Sequence, residues 1–335
     1  MHIPENYLSP STCGVLDIVM VPIWAYAIKK VHETVPREKM PLLGMAAAFS
    51  FLAMMFNIPL PGGTTGHAVC GTLIAILFGS WPAVLAVSIA LLIQAVFFGD
   101  GGILALGANC FNMGFVLPMV GFSIYRFISS RKAGLAGELL GAAIGSYVAL
   151  NCAALLAAIE FGIQPLLFTD AAGNALYCPY PLWVSIPAML LGHLTVAGVA
   201  EVVFTVGILA FVRKVAPGFG VQAVEGAPAG GRVLAPVIAL VAALVVATPL
   251  GLIAQGDAWG EWGTEDLAGM VGYTPAGLDY GWEWSAFMPD YSIGALPEWS
   301  GYILSAIIGV ALLIVIFRLA ALAMKPTIDF DSKRA

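Results

Sequence analysis

The chain of 335 residues is 60% hydrophobic and only 10% charged, with a mean hydropathy of +0.93, which excludes a water-soluble globular protein and defines a polytopic membrane protein. A formal charge of −6 without any Lys/Arg-rich tract excludes nucleic acid as a partner. The five cysteines are scattered with no CxxC pair. Cys13, Cys70, Cys110 and Cys152 lie in or beside apolar runs and read as small packing residues, whereas Cys178 lies in a loop and is a candidate reactive thiol.

The chain opens Met1-His2-Ile3-Pro4-Glu5. No basic region precedes an apolar stretch here, so no cleavable signal peptide is expected and Met1 is expected to stay on the chain. A free α-amino group, the backbone nitrogen of residue 2 and the imidazole of residue 2 close two fused chelate rings on one metal. With that amide deprotonated, three nitrogens lie in a plane and a fourth position stays open. Flat all-nitrogen coordination suits Ni(II) or Cu(II), whereas Zn(II) favours a tetrahedron. Pro4 keeps Ile3 extended, so the chain leads away from the chelate. Of the other histidines, His32, His67 and His193, the one after Pro61-Gly62-Gly63-Thr64-Thr65-Gly66 is best placed for the open position. The pattern alone leaves the plainer alternative open, a histidine on a frayed terminus.

Nine apolar segments follow, at about 12–30, 41–58, 67–79, 82–98, 104–125, 135–160, 184–212, 233–254 and 300–323. The expected fold is all-α: a transmembrane bundle of about seven helices plus two C-terminal helices. The short third and fourth segments, separated by Gly79-Ser80-Trp81-Pro82, read as a hairpin of tilted helices. With the N-terminus external, all fourteen basic residues, from Lys29 and Lys30 to Lys333 and Arg334, fall on one side. The positive-inside rule makes that side cytoplasmic and the protein multi-pass in the inner or plasma membrane. Met1, His2 and the loop before His67 then share the external face.

Polar residues inside apolar segments must face the interior or a partner. Asp17 and Glu201 are expected to be structural or supporting. His193 reads as a core imidazole bonded to a backbone carbonyl, and His32 as solvated. Eight residues separate His193 from Glu201, about 12 Å along a helix and about 80° around it, so the two do not share an ion. Gln94, Asn109 and Asn112 should point inward, and Asn109 and Asn112, three apart, should share a network beneath the site. Gly99-Asp100-Gly101-Gly102 reads as a turn. Gly137, Gly141 and Gly145 form a packing face, either inside the bundle or against another membrane protein.

Residues 215–231 are rich in Gly, Ala and Pro and read as a flexible linker between a 1–214 metal-binding domain and a two-helix module at 232–324. A cytoplasmic tail, 325–335, would close the chain. Between the last two segments an external loop at 255–299 holds acidic residues from Asp257 to Glu298, no basic ones, and five of the eight tryptophans. The tryptophans are expected at the lipid interface, and the acidity is what positive-inside topology leaves outside.

Taken together, Met1-His2-Ile3-Pro4-Glu5, Gly63-Thr64-Thr65-Gly66-His67, Leu92-Ile93-Gln94-Ala95 to Phe98-Gly99-Asp100-Gly101-Gly102, Leu106-Gly107-Ala108-Asn109 and Phe111-Asn112-Met113-Gly114 resemble the CbiM/NikM family. These are substrate-binding membrane components of nickel and cobalt energy-coupling-factor transporters. The resemblance covers about residues 1–214. The tail, with Phe287-Met288-Pro289-Asp290-Tyr291-Ser292-Ile293, is similar to the NikN-type accessory component. The resemblance implies an amino terminus inserted into the bundle and an ion held by the Met1 amine, the His2 backbone nitrogen and imidazole, and the His67 imidazole. Thr65, Gln94, Asn109 and Asn112 are the candidates to support that site. It also implies separate ATPase subunits and a transmembrane coupling component. The chain departs from the commonest pattern where Glu5-Asn6-Tyr7-Leu8 replaces an Asp-Gly-Phe-Leu-like run, and at Ser80, where Pro is frequent.

The expected function is therefore capture and inward passage of Ni(II), with Co(II) as the alternative substrate. No GxxxxGK[ST] loop is present, so the chain is not expected to be an ATPase or any other enzyme, and no cofactor is expected. An ion-coupled secondary transporter using Asp17 and Glu201, or an intramembrane metalloenzyme using His193 and Glu201, are the more distant readings.

Overall fold

The computed structural model describes residues 1–221 and 231–324. The linker expectation over 222–230 and the tail at 325–335 lie outside the described residues. Among the described residues, eight helices are long and apolar enough to cross a membrane. The principal ones are α1 (Pro10–Thr34), α2 (Met40–Met55), α4 (Ser80–Ile93), α5 (Leu106–Ser129), α6 (Leu135–Gly162), α7 (Leu182–Val215), α8 (Gly231–Ala247) and α9 (Glu298–Ala323). Helix α1 starts sharply because Pro10 occupies its first turn and the Ser9 hydroxyl accepts the Thr12 N–H.

The expected third spanning helix is corrected. Only Gly71–Phe78 is helical (α3), and it is too short to cross alone. The preceding chain forms a hairpin, β1 (Ile58–Leu60) against β2 (Thr64–Gly66), pairing Ile58 with Gly66 and Leu60 with Thr64. Gly62 (φ +95°) and Gly63 (φ +79°) take its tight turn. Residues 67–70 then run buried and non-helical into α3. The eight helical residues of α3 rise only about 12 Å, well short of the apolar layer of about 30 Å. The far end of α3 is tied to the chain beyond α7, for Val221 N–H donates to Leu77 O at 3.0 Å and the Phe78 and Phe219 rings meet at 5.7 Å.

Small residues set the closest helix contacts. A Cβ on Gly145 would stand 2.6 Å from Gly121 O, and one on Gly141 2.9 Å from Tyr125 O, so the glycine face of α6 packs inside the bundle against α5. On the other side of the molecule, α9 lies on α2, with Gly309 beneath the buried Phe51 ring and Gly44 beneath Phe317. The two-helix module is thus docked on the bundle, and its connecting loop reaches back over the end that carries the N-terminus. Trp259 and Trp262 of that loop are half-buried against the bundle. They pack on Tyr180 at 5.3 and 5.6 Å, and Trp259 also meets Phe161 at 6.0 Å. Trp282, Trp284 and Trp299 are the exposed ones.

Gly309→Ala tests the docking. The new Cβ would overlap the Phe51 ring, and overpacking of this kind costs about 1–3 kcal/mol. The expected outcome is a lower unfolding temperature in detergent, with the helical content of the folded protein unchanged.

Candidate metal centre

The first three residues are buried, with Met1 and His2 at 2% and Ile3 at 0% exposure. They are held as a strand would be. Ile3 N–H donates to Asn109 Oδ1 at 2.7 Å, Asn109 Nδ2 donates to Ile3 O at 3.0 Å, and Gly102 N–H donates to the same carbonyl at 2.9 Å. The Gly99–Gly102 turn is therefore also a cradle. A Cβ on Gly102 would overlap Glu5, and one on Gly101 would crowd Asn109 and His2. Further along, Leu104 N–H donates to Glu5 Oε1 at 3.1 Å and Ser9 N–H to Gln164 Oε1 at 3.0 Å.

His67 arrives from the opposite wall. The carboxylate of Glu201, fully buried on α7, accepts Val69 N–H at 2.7 Å and Cys70 N–H at 2.9–3.0 Å, while Ser50 Oγ donates to Val69 O at 2.6 Å. Cys70 at φ +62° makes the bend into α3. Glu201 thus caps α3 and fixes the segment that carries His67, a supporting role as expected.

The two imidazoles meet, with His2 Nδ1 3.1 Å from His67 Nε2 and also 3.0 Å from Asp100 Oδ1. His67 Nδ1 faces Ala68 O at 3.3 Å, which assigns its proton to Nδ1 and leaves the Nε2 lone pair toward His2. One proton on His2 Nδ1 then serves both His67 and Asp100. His2 Nε2 carries no proton in that tautomer, and both it and Gln94 Oε1 are buried without a partner. A cation that replaces the Nδ1 proton moves that proton to Nε2, beside Gln94. Burial, the nearby amino terminus and the weaker opposing pull of Gln94 put the His2 pKa at about 3. Burial, then His2 and the amino terminus, hold His67 well below its ordinary value. Both rings are neutral at pH 7, the form that binds metal.

The fused module completes the site. Glu261 Oε1 stands 3.5 Å from the Met1 ammonium, and burial pushes the Glu261 carboxyl up to about 7. Tyr291 OH donates to Asp100 Oδ2 at 2.6 Å, and Gln94 Nε2 reaches both at 2.9 and 3.0 Å. Thr65 lies in the same wall, with its backbone bridged to Ala258. A cavity of about 260 Å³ opens onto His2 and His67 and is lined also by Asp257, Asp290 and Tyr302.

Other sequence candidates fall elsewhere. Asn112 does not share a network with Asn109, since its Nδ2 donates to Glu160 Oε2 at 2.7 Å. His193 Nδ1 donates to Met189 O at 2.8 Å, a satisfied core imidazole. Asp17 Oδ1 accepts Gly107 N–H at 2.9 Å, and His32 is exposed. Cys178 is buried, which raises its thiol to about 12 and removes it as a reactive group. Asp100, Glu261 and Tyr291 were the residues sequence reasoning missed. Asp100 was read as part of a turn and the other two as part of an acidic loop, and only the quoted motif runs around Asp100 and Tyr291 mark them.

The helical membrane bundle buries its own amino terminus beside two imidazoles and a carboxylate, and the comparisons are with metal-transport proteins. Residues 2–219 match the family model described as CbiM, cobalt uptake substrate-specific transmembrane region, and residues 235–326 match the PDGLE domain. The chain belongs to the CbiM family and carries a PDGLE domain fused behind it. It is 48% identical to the fused nickel transport protein NikMN of Rhodobacter capsulatus, over 96% of this chain and 97% of that one. It is also 48% identical to LarMN of Lactiplantibacillus plantarum, named a probable fused nickel transport protein, over 95% and 97% of the two chains. A crystal structure titled a truncated transition metal transporter superposes with a TM-score of 0.61 at 51% identity, covering 64% of this chain and 99% of that one.

Glu201→Gln is expected to unseat the His67 segment, because a carboxamide offers one acceptor to two N–H groups. Loss of such support typically costs about 10–100-fold in metal affinity. Ni(II) titration of the variant, beside a check of retained helicity, measures it.

Proposed function

We propose that this protein captures Ni(II) outside the cell as the substrate-specific membrane component of an energy-coupling-factor importer. The ion is held by the Met1 amine, the deprotonated His2 amide nitrogen, His2 Nδ1 and His67 Nε2. The observation that carries this reading is the 3.1 Å separation of His2 Nδ1 and His67 Nε2. Adjacent corners of a square plane with metal–nitrogen bonds of about 2.0–2.1 Å stand about 2.9 Å apart. The observed separation is close to that of neighbouring corners and so supports the two rings as adjacent ligands, with the Met1 amine and His2 amide as the other two. A planar nitrogen set favours Ni(II) over Mg(II) or Mn(II) outright and over Co(II) less sharply. The two full-length relatives named above are nickel transport proteins, whereas a shorter match, at 39% identity over 40% of this chain, is the cobalt transport protein CbiM of Acetohalobium arabaticum.

Energy for the inward step comes, on this reading, from separate ATP-binding cassette subunits and a transmembrane coupling component. The rival assignments lose their residues. Glu201 is committed to two backbone N–H groups and His193 Nδ1 to its own helix, which speaks against a metalloenzyme centre at that pair, and with Asp17 accepting Gly107 N–H the Asp17 and Glu201 of an ion-coupled transporter are both engaged by backbone.

Ni(II) titration of the purified chain, followed through the d–d absorption, tests the ligand set. The wild type is expected to show a planar-type band that one glycine placed before Met1 abolishes and His67→Ala shifts. Retention of the band in both variants would move the site elsewhere. A parallel Co(II) titration with weaker binding supports nickel as the substrate, and the reverse order makes cobalt the substrate.

Proton release gives a separate check. The imidazoles are neutral before binding, so the proton on His2 merely changes nitrogen. At least one proton, from the His2 amide, should leave per Ni(II) at pH 7. Calorimetry in buffers of different ionisation enthalpy counts them.

A further inference from the structure

We propose that Gln94 selects the tautomer of His2 that can ligate the ion, and that Tyr291 of the fused module holds the Gln94 amide in the orientation that does so. This deepens the function proposed above and rests on its ligand set. Both are positioning residues, which act on the ion through the His2 ring.

Gln94 is fully buried, and its neighbours orient its amide. Nε2 stands 2.9 Å from Asp100 Oδ2 and 3.0 Å from the Tyr291 hydroxyl. A carboxylate only accepts, so the NH2 end faces Asp100, and the Tyr291 oxygen, which gives its own proton to Asp100, accepts the other N–H. Both amide protons are thereby used. Oε1 is left buried and without a partner beside the His2 ring, whose Nε2 is also buried and without one. In the empty site the ring proton is on Nδ1, 3.0 Å from Asp100 Oδ1 and 3.1 Å from His67 Nε2. One imidazole proton thus has acceptors on both sides of the ring. Coordination decides between them: the Nδ1–metal bond forms, the proton goes to Nε2, the ring stays neutral and the new N–H meets Gln94 Oε1. Turned the other way, the amide would donate to the Nε2 lone pair and keep the proton on Nδ1, the nitrogen the ion needs. The orientation of Gln94 therefore sets the sign of its effect.

Tyr291 is held for this contact against its backbone preference. Asp290 (φ +53°) and Tyr291 (φ +59°) are consecutive non-glycine residues in the left-handed region, a strained arrangement that persists only where surrounding structure imposes it. Ser305 Oγ of α9 donates to Tyr291 O at 2.9 Å, and the Tyr291 ring stacks on Phe98 of the bundle at 4.8 Å. The two modules together thus place one buried hydroxyl at the Asp100–Gln94 pair.

The full chain in detergent, with isotope-labelled histidine nitrogens, would be followed by NMR before and after Ni(II). A planar Ni(II) centre is diamagnetic, so the loaded form stays visible, and the His2 signals are those missing from His2→Ala. The expected result is a proton on Nδ1 in the empty protein and on Nε2 in the loaded one. Gln94→Leu, which removes Oε1, should weaken Ni(II) binding about tenfold or more while the d–d band keeps its position. Tyr291→Phe keeps the ring and should weaken binding about threefold or more, but by a smaller factor once Gln94 is Leu, because the two act along one chain of contacts. Thermal unfolding of each empty variant separates lost folding from lost selection, and Gln94→Met carries the same expectation should Gln94→Leu not fold. Wild-type affinity in the Gln94 variants, simply additive losses, or a proton already on Nε2 in the empty site overturns the proposal. If the added glycine and His67→Ala leave the Ni(II) band intact, the nitrogen-ligand reading and this proposal fall together. If those two act as expected while Gln94→Leu binds Ni(II) as the wild type does, the ligand set stands and only this proposal falls.

Discussion

Everything at this centre depends on the backbone of Ile3 being held by the side chain of Asn109 and the N–H of Gly102. A chain terminus is ordinarily the most mobile part of a protein, and burying an ammonium group in a bundle carries a large desolvation cost. Here three hydrogen bonds to one residue replace water around the entering strand. The absence of Cβ atoms at Gly101 and Gly102 lets that strand lie directly on the turn. The amino group is then met by Glu261 rather than left alone.

The fused module takes part in that anchoring, and the departures from the common family pattern show how. Asn6 occupies a left-handed backbone position, φ +64°, where glycine is usual and asparagine is among the few tolerated alternatives. Its side chain donates to Trp282 O at 3.0 Å. Tyr7 stands where phenylalanine is common, and its added hydroxyl donates to Trp262 O at 2.6 Å. Both replacements convert a family position into a hydrogen bond with the loop between α8 and α9. With Thr64 Oγ1 donating to Asp257 O at 3.0 Å, the loop is tied to the N-terminal segment and to the β-hairpin at once. Fusion into one chain keeps that loop at a high effective concentration over the site, so each of these bonds can be weak and still hold.

Much of this was legible from residue chemistry. The apolar segments fixed the number of long helices to within one, since the 67–79 run is apolar enough for a helix but is bent by the cap at Cys70 and Glu201, a contact 131 residues apart that no local pattern carries. The glycines of α6 were legible as a packing face but not their partner. Met1, His2 and His67 were legible as candidate donors, and the structure sets the two imidazoles 3.1 Å apart. Asn112 was misplaced because helical spacing gives a common face without saying which neighbour that face meets. The acidic loop was read as a by-product of topology for the same reason: its charges became informative only once the fold laid them over the histidines.

On the proposed ligand set, discrimination of ions falls to the nitrogens. They would ask for two things an s-block ion does not give, loss of the hydration shell and displacement of an amide proton. Mg(II) dehydrates reluctantly and prefers oxygen, so it fails both. Among transition metals the flat nitrogen set ranks Cu(II) at least as high as Ni(II), because that order follows intrinsic affinity. Charge and donor type therefore reject the abundant ions, but they do not reject copper. Rejection of copper falls to the availability of the ion outside or to the rigidity with which Glu201, Asn109 and Gln94 hold His67, Ile3 and the surroundings of His2.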